Sequence, residues 1–440
     1  MNEIKNVSTI ERRKIKFLQL VFVDIDGVPK GMEIPIERYD EAISDGISFD
    51  GSSIPGFQGI EDSDLIFKAD PSTYAEIPWE GIARVYGFIY KDEKPYHADP
   101  RGILKNITQE LAKKGLRVCI GPEPEFYLFR KNGTWELQLP DVGGYFDLVN
   151  LDKAKDVKRE IALYMPYFGL TPEVLHHEVG AGQHEIDFKF SDALGTADNI
   201  VSFKYIVKAV AESYGLYATF MPKPIYGMPG NGMHLHISLW KGEENLFVGE
   251  DGLSEAALHF VGGILKHAKA LAALTNPTVN SYKRLVPGYE APVYVSWGYR
   301  NRSALIRVPA YKGKGARIEY RCPDPSANPY LAFAAIIKAG LDGIKHKVEP
   351  FAYVEENVYK MDEEKRKKLS IETLPSSLRE ALDELEKNKV VRDALGKAYR
   401  NFKEYKEREW EEYTEYLKKK DIPLETKKVT EWELEKYFYI

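Results

Sequence analysis

The chain has 440 residues, 44% of them hydrophobic and 29% charged, with a formal net charge of −6 from 61 basic and 67 acidic side chains. That length can bury a large core and predicts two or more domains, while the near-balanced charge leaves no electrostatic footprint for nucleic acid. No apolar run is long enough to span a bilayer and the N-terminal MNEIKNVSTIERRK has no apolar signal core, so a cytoplasmic protein without a membrane partner is expected.

Residues 17–36 read as two short strands, FLQLVFVDI and PKGMEI, joined at Asp26-Gly27, a dipeptide suited to a tight hairpin. A turn-rich stretch at 49–53 and a strand over 83–90 continue a small β-rich domain. In isolation Asp50 and Ser53 are turn formers. The break at 97–101 predicts the boundary, giving domains of 1–100 and 101–440.

Residues 102–114 predict a helix and 116–129 a strand, with Asn132-Gly133 turning a hairpin back through Trp135 to Leu139. Glu123 and Glu125 share one strand face, where two carboxylates repel each other unless a cation lies between them; a solvated edge strand is the rival reading. Residues 152–168 predict an amphipathic helix capped by Asp152 and closed by Gly169. Two strand patterns over 173–188 then surround a glycine turn across which Glu178 and Glu185 can converge. Of the adjacent His176 and His177, only one can face the same way as Glu178. A further amphipathic helix covers 196–214.

Over 233–239, His234, His236 and Ser238 alternate with Leu235, Ile237 and Leu239, so one face carries the imidazoles and favours ligation or phosphate contact. The glycines before it let backbone amides approach a ligand. After a capped helix over 254–274 comes a charged loop at 280–292, punctuated by Pro and Gly in the manner of functional lids. Arg300, Arg302 and Arg307 follow; they suit bidentate contact with phosphate or carboxylate, with a basic surface stripe as the alternative.

In the strand pattern at 317–321, Arg317, Glu319 and Arg321 point one way and Ile318 and Tyr320 the other. Such charges turn inward only when a metal, a phosphate or one another holds them, and a solvated edge strand is again the alternative. Residues 328–344 form a small-residue-rich apolar helix, and beyond 349 Lys, Glu and Tyr at helical spacing predict solvated helices without a charge-based role. The two cysteines, Cys119 and Cys322, make no disulfide framework and read as structural.

Glutamate pairs, strand histidines and arginines suit Mg²⁺ or Mn²⁺ better than a structural zinc. Two such ions with arginine clamps are what phosphoryl transfer needs. The residues alone therefore predict a two-metal phosphoryl-transfer enzyme of open substrate.

The stretches FDGSSI at 49–54, GPEPEF at 121–126, HHEVGAGQHE at 176–185, GNGMHLH at 230–236, NPTVNSYKRLVPGYEAP at 276–292, RNRSA at 300–304 and RIEYRCPDPSANPYL at 317–331 resemble, in order and wording, those of the bacterial and archaeal type I glutamine synthetases. The resemblance implies an α+β fold, with an N-terminal β-grasp domain and a C-terminal catalytic domain on a curved antiparallel sheet with flanking helices. It also implies a dodecamer of two hexameric rings with active sites between subunits. The implied reaction is ATP-dependent ligation of ammonium to the side chain of L-glutamate through γ-glutamyl phosphate, with two or more Mg²⁺ or Mn²⁺ ions per site.

By the same resemblance, Glu125, Glu178 and Glu185 would hold one ion and Glu123, His234 and Glu319 the other. Arg302, Arg307 and Arg321 would face the transferring phosphoryl group or the glutamate carboxylates. Arg284 and Gly230 match glutamate-binding positions, and Glu173, His236, Ser238, Lys314 and Arg317 match the nucleotide site. Asp50, Ser53, Tyr145, Glu178 and Glu290 match an ammonium pocket, with Asp50 as base and Glu290 on a closing flap. Tyr359, in the setting NVYKMD, and the arginine-free loop 56–61 depart from the family's adenylylated and glutamine-sensing subgroups, so neither form of regulation is carried over. The run from Glu178 to Glu185 is one residue shorter than in the adenylylated subgroup. A ligase for a larger amine and an idle regulatory paralogue are the rivals; the intact ammonium pocket argues against the first and the intact ligand set against the second.

Overall fold

The computed structural model of the chain describes residues 15–57, 59–79, 81–131, 137–250, 252–289, 291–310 and 313–440. Its first unit is a sheet of strands β1 (Phe17–Val23), β2 (Pro29–Pro35), β3 (Ile47–Asp50), β4 (Asp64–Ala69), β5 (Ala75–Ile77), β6 (Ile82–Lys91) and β7 (Lys94–Pro95), crossed by helix α1 (Tyr39–Ser44). The order is β2-β1-β6-β4-β3, with β5 and β7 on β6; β1 and β2 form the expected hairpin and β1 runs parallel to β6. This is a β-grasp arrangement, and Leu18, Leu20 and Phe22 on alternate positions of β1 are buried in its core. At the hairpin tip Gly27 has φ +84, and a Cβ there would meet Asn328 Cα at 2.8 Å, so glycine is required both by the turn and by the contact with the second unit.

That second unit begins with α2 (Pro100–Ala112), capped by Asp99 with proline in its first turn, and β8 (Leu116–Arg130). There follow α3 (Lys155–Tyr164), β9 (Pro172–His177), β10 (Gln183–Phe188), β11 (Ser191–Asp192), α4 (Ala193–Ser213), β12 (Leu216–Thr219), β13 (Met233–Lys241), β14 (Glu244–Asn245) and α5 (Glu255–Thr275). Next come α6 (Ser281–Arg284), β15 (Tyr294–Val295), β16 (Trp297–Tyr299), β17 (Ile306–Val308), β18 (Ile318–Tyr320) and α7 (Pro329–His346). The last elements are α8 (Glu363–Lys368), β19 (Glu372–Thr373), α9 (Leu378–Lys387), α10 (Lys389–Leu395), α11 (Ala398–Lys419) and α12 (Glu431–Tyr437).

The large sheet runs β16-β17-β18-β13-β8-β10-β9, with β11 and β12 on β8 and β14 on β13. Its neighbours are antiparallel except β16 and β17, which are parallel. Helices α2 and α4 pack on β8, and the apolar α5 and α7 pack on each other. Asn328 caps α7 and donates from Nδ2 to the carbonyls of Asp24 and Ile25, fastening the two units together.

Several expectations change. Strands β8 and β18 lie inside the sheet, each flanked by partners, so neither is the solvated edge kept open as a rival. Asp152 does not cap α3, which starts at Lys155; its carboxylate instead accepts from the Ala154 amide at 3.0 Å and Lys158 Nζ at 2.7 Å. The turn at Asn132-Gly133 and Trp135 fall outside the described residues, while 137–139 form no strand, although the Arg130 amide donates to Gln138 O at 2.8 Å. The C-terminal helices are not merely solvated: Lys406, Glu409 and Glu433 are buried in ion pairs. Cys119 and Cys322 are buried and free, as read.

Candidate active site

Cross-strand partners of a sheet share a face, and the register of the large sheet collects the charged residues in rows. Arg307 pairs with Glu319 and Glu319 with His236; His234 pairs with Glu123; Glu125 pairs with Glu185, and Glu185 with His176. Leu235, Ile237, Ile318 and Tyr320 occupy the alternate positions and are fully buried. The alternation in sequence thus becomes one charged face crossing strands that are far apart in the chain.

Among the described residues, Glu123, His234 and Glu319 form one group with potential ligand atoms within 4.8 Å of one another, and His176, Glu178 and Glu185 a second. In the first, His234 Nδ1 lies 3.3 Å from Glu123 Oε2, and His236 Nε2 donates to Glu123 Oε1 at 2.6 Å, because its Nδ1 accepts from Arg317 Nε at 3.0 Å. Burial would raise the Glu123 carboxyl, yet the hydrogen bonds from His234 and His236 hold it below its ordinary range. Burial, with the nearby Arg321, pushes His234 down to about 4, leaving a neutral imidazole suited to ligation. Glu319 is fully buried and takes Arg321 Nη1 at 2.5 Å on one oxygen and Arg307 Nε on the other.

In the second group, His176 Nε2 lies 3.0 Å from Glu185 Oε1, and its Nδ1 lies 3.6 Å from Glu178 Oε1. Burial first, then the charges of Glu125, Glu123 and Glu178, push the Glu185 carboxyl well above its ordinary range. Asp187, two residues along the same strand face, is pushed up to about 9 by burial and by Glu185, and its Oδ1 has no partner. Glu125 is not in this group by distance; it accepts from the Gly232 amide at 2.8 Å and Gln183 Nε2 at 3.1 Å. Crowded carboxylates whose repulsion is relieved only by protonation fit a divalent cation. A third group, Asp141, His177 and His184, is wholly buried and already contains a cation, since Lys158 Nζ lies 3.4 Å from His184 Nδ1.

The other expected residues divide. Burial and the Glu178 carboxylate raise the Tyr145 hydroxyl above its ordinary range, the exposed Arg302 hydrogen-bonds to it, and its ring stands edge-on to His176 at 5.6 Å. Arg284 is buried and donates to Cys322 O at 2.8 Å. Gly230 sits where a Cβ would meet Pro222 O at 2.5 Å and Arg284 Cγ at 2.9 Å. Ser238 accepts from Trp240 Nε1 at 2.8 Å, whereas Glu173 and Lys314 are exposed at the margins of the sheet. Asp50 is exposed and held below its ordinary range by hydrogen bonds from Ser52, and Ser53 lines a 940 Å³ cavity between its own loop and α11, so within one chain both have contacts away from the charged rows. Glu290 lies outside the described residues, as does Gln58 in the loop 56–61. The Tyr359 hydroxyl donates to Ala291 O at 2.8 Å.

His176 was readable as a member of the second group, because it alternates with Glu178. Gly232 was signalled by the GNG pattern: a Cβ there would meet Arg284 Nη2 at 2.8 Å and His234 Nε2 at 3.0 Å. Asp187 was readable by the same alternation with Glu185, whereas Asp141 carried no comparable signal.

The family model described as "Glutamine synthetase, catalytic domain" matches residues 97–437, and "Glutamine synthetase, beta-Grasp domain" matches 14–92. Among relatives, the glutamine synthetase of Pyrococcus abyssi is 76% identical over 440 residues, covering 100% of both chains. The chain belongs to the glutamine synthetase family. The glutamine synthetase of Thermotoga maritima is 49% identical over 442 residues, covering 98% of each chain. A solved GmaS/ADP complex superposes with a TM-score of 0.86 at 34% identity, covering 97% of this chain and 98% of that one. As a glutamine synthetase, the protein is an ATP-dependent ligase of glutamine biosynthesis that binds ATP and metal. No helix among the described residues is long and apolar enough to cross a membrane.

Proposed function

We propose that the charged face of the large sheet is where this chain activates and amidates L-glutamate. The observation that carries the reading is the pair of carboxylate–imidazole groups on neighbouring strands, with Arg302, Arg307 and Arg321 beside them. Glu123, His234 and Glu319 would hold one Mg²⁺ or Mn²⁺ ion, and Glu125, Glu178 and Glu185, with His176 at hand, another. When bound, such ions neutralise the phosphate oxygens of ATP and favour displacement at the γ-phosphorus.

The chain's own residues supply the rest. Arg284 and the backbone at Gly230 orient glutamate so that a side-chain carboxylate oxygen meets the γ-phosphorus. Glu173, His236, Ser238, Lys314 and Arg317 line the nucleotide, and Arg302, Arg307 and Arg321 steady the transferring phosphoryl group. The phosphorus–oxygen bond to ADP breaks as γ-glutamyl phosphate forms. Asp50, Ser53, Tyr145, Glu178 and Glu290 draw in ammonium; Asp50 accepts one proton, the nitrogen attacks the acyl carbon, and its second surplus proton leaves with the departing phosphate. Glu290 excludes water from the acyl phosphate. Because the contacts of Asp50 and Ser53 lie away from the rows of their own chain, they would serve the site of a neighbouring copy, in agreement with a dodecamer of two hexameric rings. The small domain is taken as 1–100 and the catalytic domain as 101–440, in a cytoplasmic enzyme without nucleic-acid or membrane partners.

The test is glutamate- and ATP-dependent phosphate release with Mg²⁺, comparing ammonium with methylamine, hydroxylamine and a polyamine. Strong preference for ammonium is expected; preference for a larger amine would overturn the ammonium pocket. Asp50→Ala should slow amide formation more than phosphorylation of glutamate, and equal loss of both steps would remove Asp50 as the base.

A further inference from the structure

Behind the second carboxylate group lies a buried polar pair that none of the proposed steps uses. Asp141 and His177 have side chains with 0% exposure. His177 Nε2 donates to Asp141 Oδ1 at 3.1 Å, and its Nδ1 donates to the backbone carbonyl of Glu178 at 2.7 Å. The same Asp141 oxygen accepts from the Gly182 amide at 2.7 Å, and the other oxygen from the Lys153 amide at 3.3 Å. The pair therefore grips both ends of the turn between β9 and β10, on which Glu178 rides. Within the turn, the Glu178 amide donates to Gln183 O at 2.8 Å and the Gly180 amide to Gln183 Oε1 at 3.1 Å, while Gln183 Nε2 reaches Glu125 at 3.1 Å.

Three features show a built arrangement. Gly143 lets the chain pass over the ring: a Cβ there would meet His177 Nε2 at 2.6 Å. The His184 ring stands edge-on to that of His177 at 4.8 Å, fixing its plane. Lys158, tied to Asp152 at 2.7 Å, closes the group on the far side. A buried carboxylate and imidazole without partners would each cost several kcal/mol, so this pair keeps one geometry.

We infer that Asp141 and His177 are positioning residues that hold the turn 178–182 so that the Glu178 carboxylate meets Glu185 at a spacing a divalent cation can use. The inference rests on the reading of Glu178 and Glu185 as ion ligands, and it adds a support for them that touches neither substrate nor ion. Outer groups that orient ligands typically change metal affinity by about 10–100-fold.

The test titrates metal-free full-length protein with Mn²⁺, by calorimetry and paramagnetic resonance, without substrates. Asp141→Ala should weaken one class of bound ion by about 10-fold or more and leave the class held by Glu123, His234 and Glu319 unchanged. Asp141→Asn, which keeps an acceptor for Gly182 and guards against a misfolded alanine variant, should weaken that class less. Asp198→Asn, at the buried Arg101–Asp198 pair between α2 and α4, serves as the folding control and should lower Tm without altering ion binding. Wild-type ion binding by both Asp141 variants would overturn the inference. So would weakening of both classes in step with a loss of Tm. Glu178→Gln separates the two readings: if it too leaves both classes unchanged, the ligand assignment falls and the inference with it, whereas weakening by Glu178→Gln alone removes only the role of Asp141.

Discussion

Two regions of this molecule bury charge, in opposite ways. Where α11 meets the first unit, Lys406 lies between Asp26 and Glu409, and where α12 meets α6, Lys283 donates to Glu433, so each buried cation has a carboxylate. On the large sheet Glu123, Glu125, Glu178 and Glu185 are crowded, and Glu185 is held well above its ordinary range by burial and by its neighbours. The first region is complete as a protein; the second is balanced only when something positive joins it. Burial of charge is therefore not what marks a site. Carboxylates crowded against one another with no protein cation between them are.

The largest expected effect breaks the complete region. Lys406→Ala leaves the buried Glu409 and the half-buried Asp26 without their cation, at a cost of about 3–5 kcal/mol. Denaturant unfolding should show that loss, with activity per folded molecule retained. A fall in activity below the unfolding transition would mean that this region also shapes the site.

The reverse pattern is expected at the incomplete region. Glu185→Gln removes a repelled carboxylate and keeps a hydrogen-bonding group beside His176. The metal-free protein should melt at the same temperature or higher, while glutamine formation falls about 100-fold, or roughly 3 kcal/mol. Loss of stability with retained activity would exchange the roles of the two regions.

A smaller effect sharpens the rule for paired charge. Burial would raise the Asp342 carboxyl, but hydrogen bonds from His267 and Lys266 hold it down to about 2. A folded value below the unfolded one adds stability above about pH 4 that is lost as the pH falls through about 2. The Tm gap between wild type and Asp342→Asn should therefore close over that interval, and a gap independent of pH would deny the pairing its effect.

Local alternation made much of the site legible. The period of two at 233–239 and 317–321 placed His234, His236 and Glu319 on common faces, and the adjacency of His176 and His177 required them to part, one to Glu185 and the other to Asp141. Whether a strand is central or at an edge was not legible, because the neighbours of β8 and β18 come from distant parts of the chain and only pairing reveals them. Asp141 stayed hidden for a related reason: it sits in a loop, and its role comes from a contact 36 residues away. The charge of α11 looked solvated because helical spacing does not tell a water-facing lysine from Lys406, whose partner Asp26 is 380 residues distant. The β-grasp hairpin, by contrast, was written locally in Asp26-Gly27.

The central claim is that the charged face activates the side chain of glutamate by phosphorylation before nitrogen arrives. Glutamate labelled with ¹⁸O in its side-chain carboxylate, turned over with ATP and ammonium, tests it most directly by mass analysis of the phosphate released. One labelled oxygen should pass from glutamate into phosphate for each glutamine formed. Phosphate without label, beside normal glutamine formation, would contradict the account.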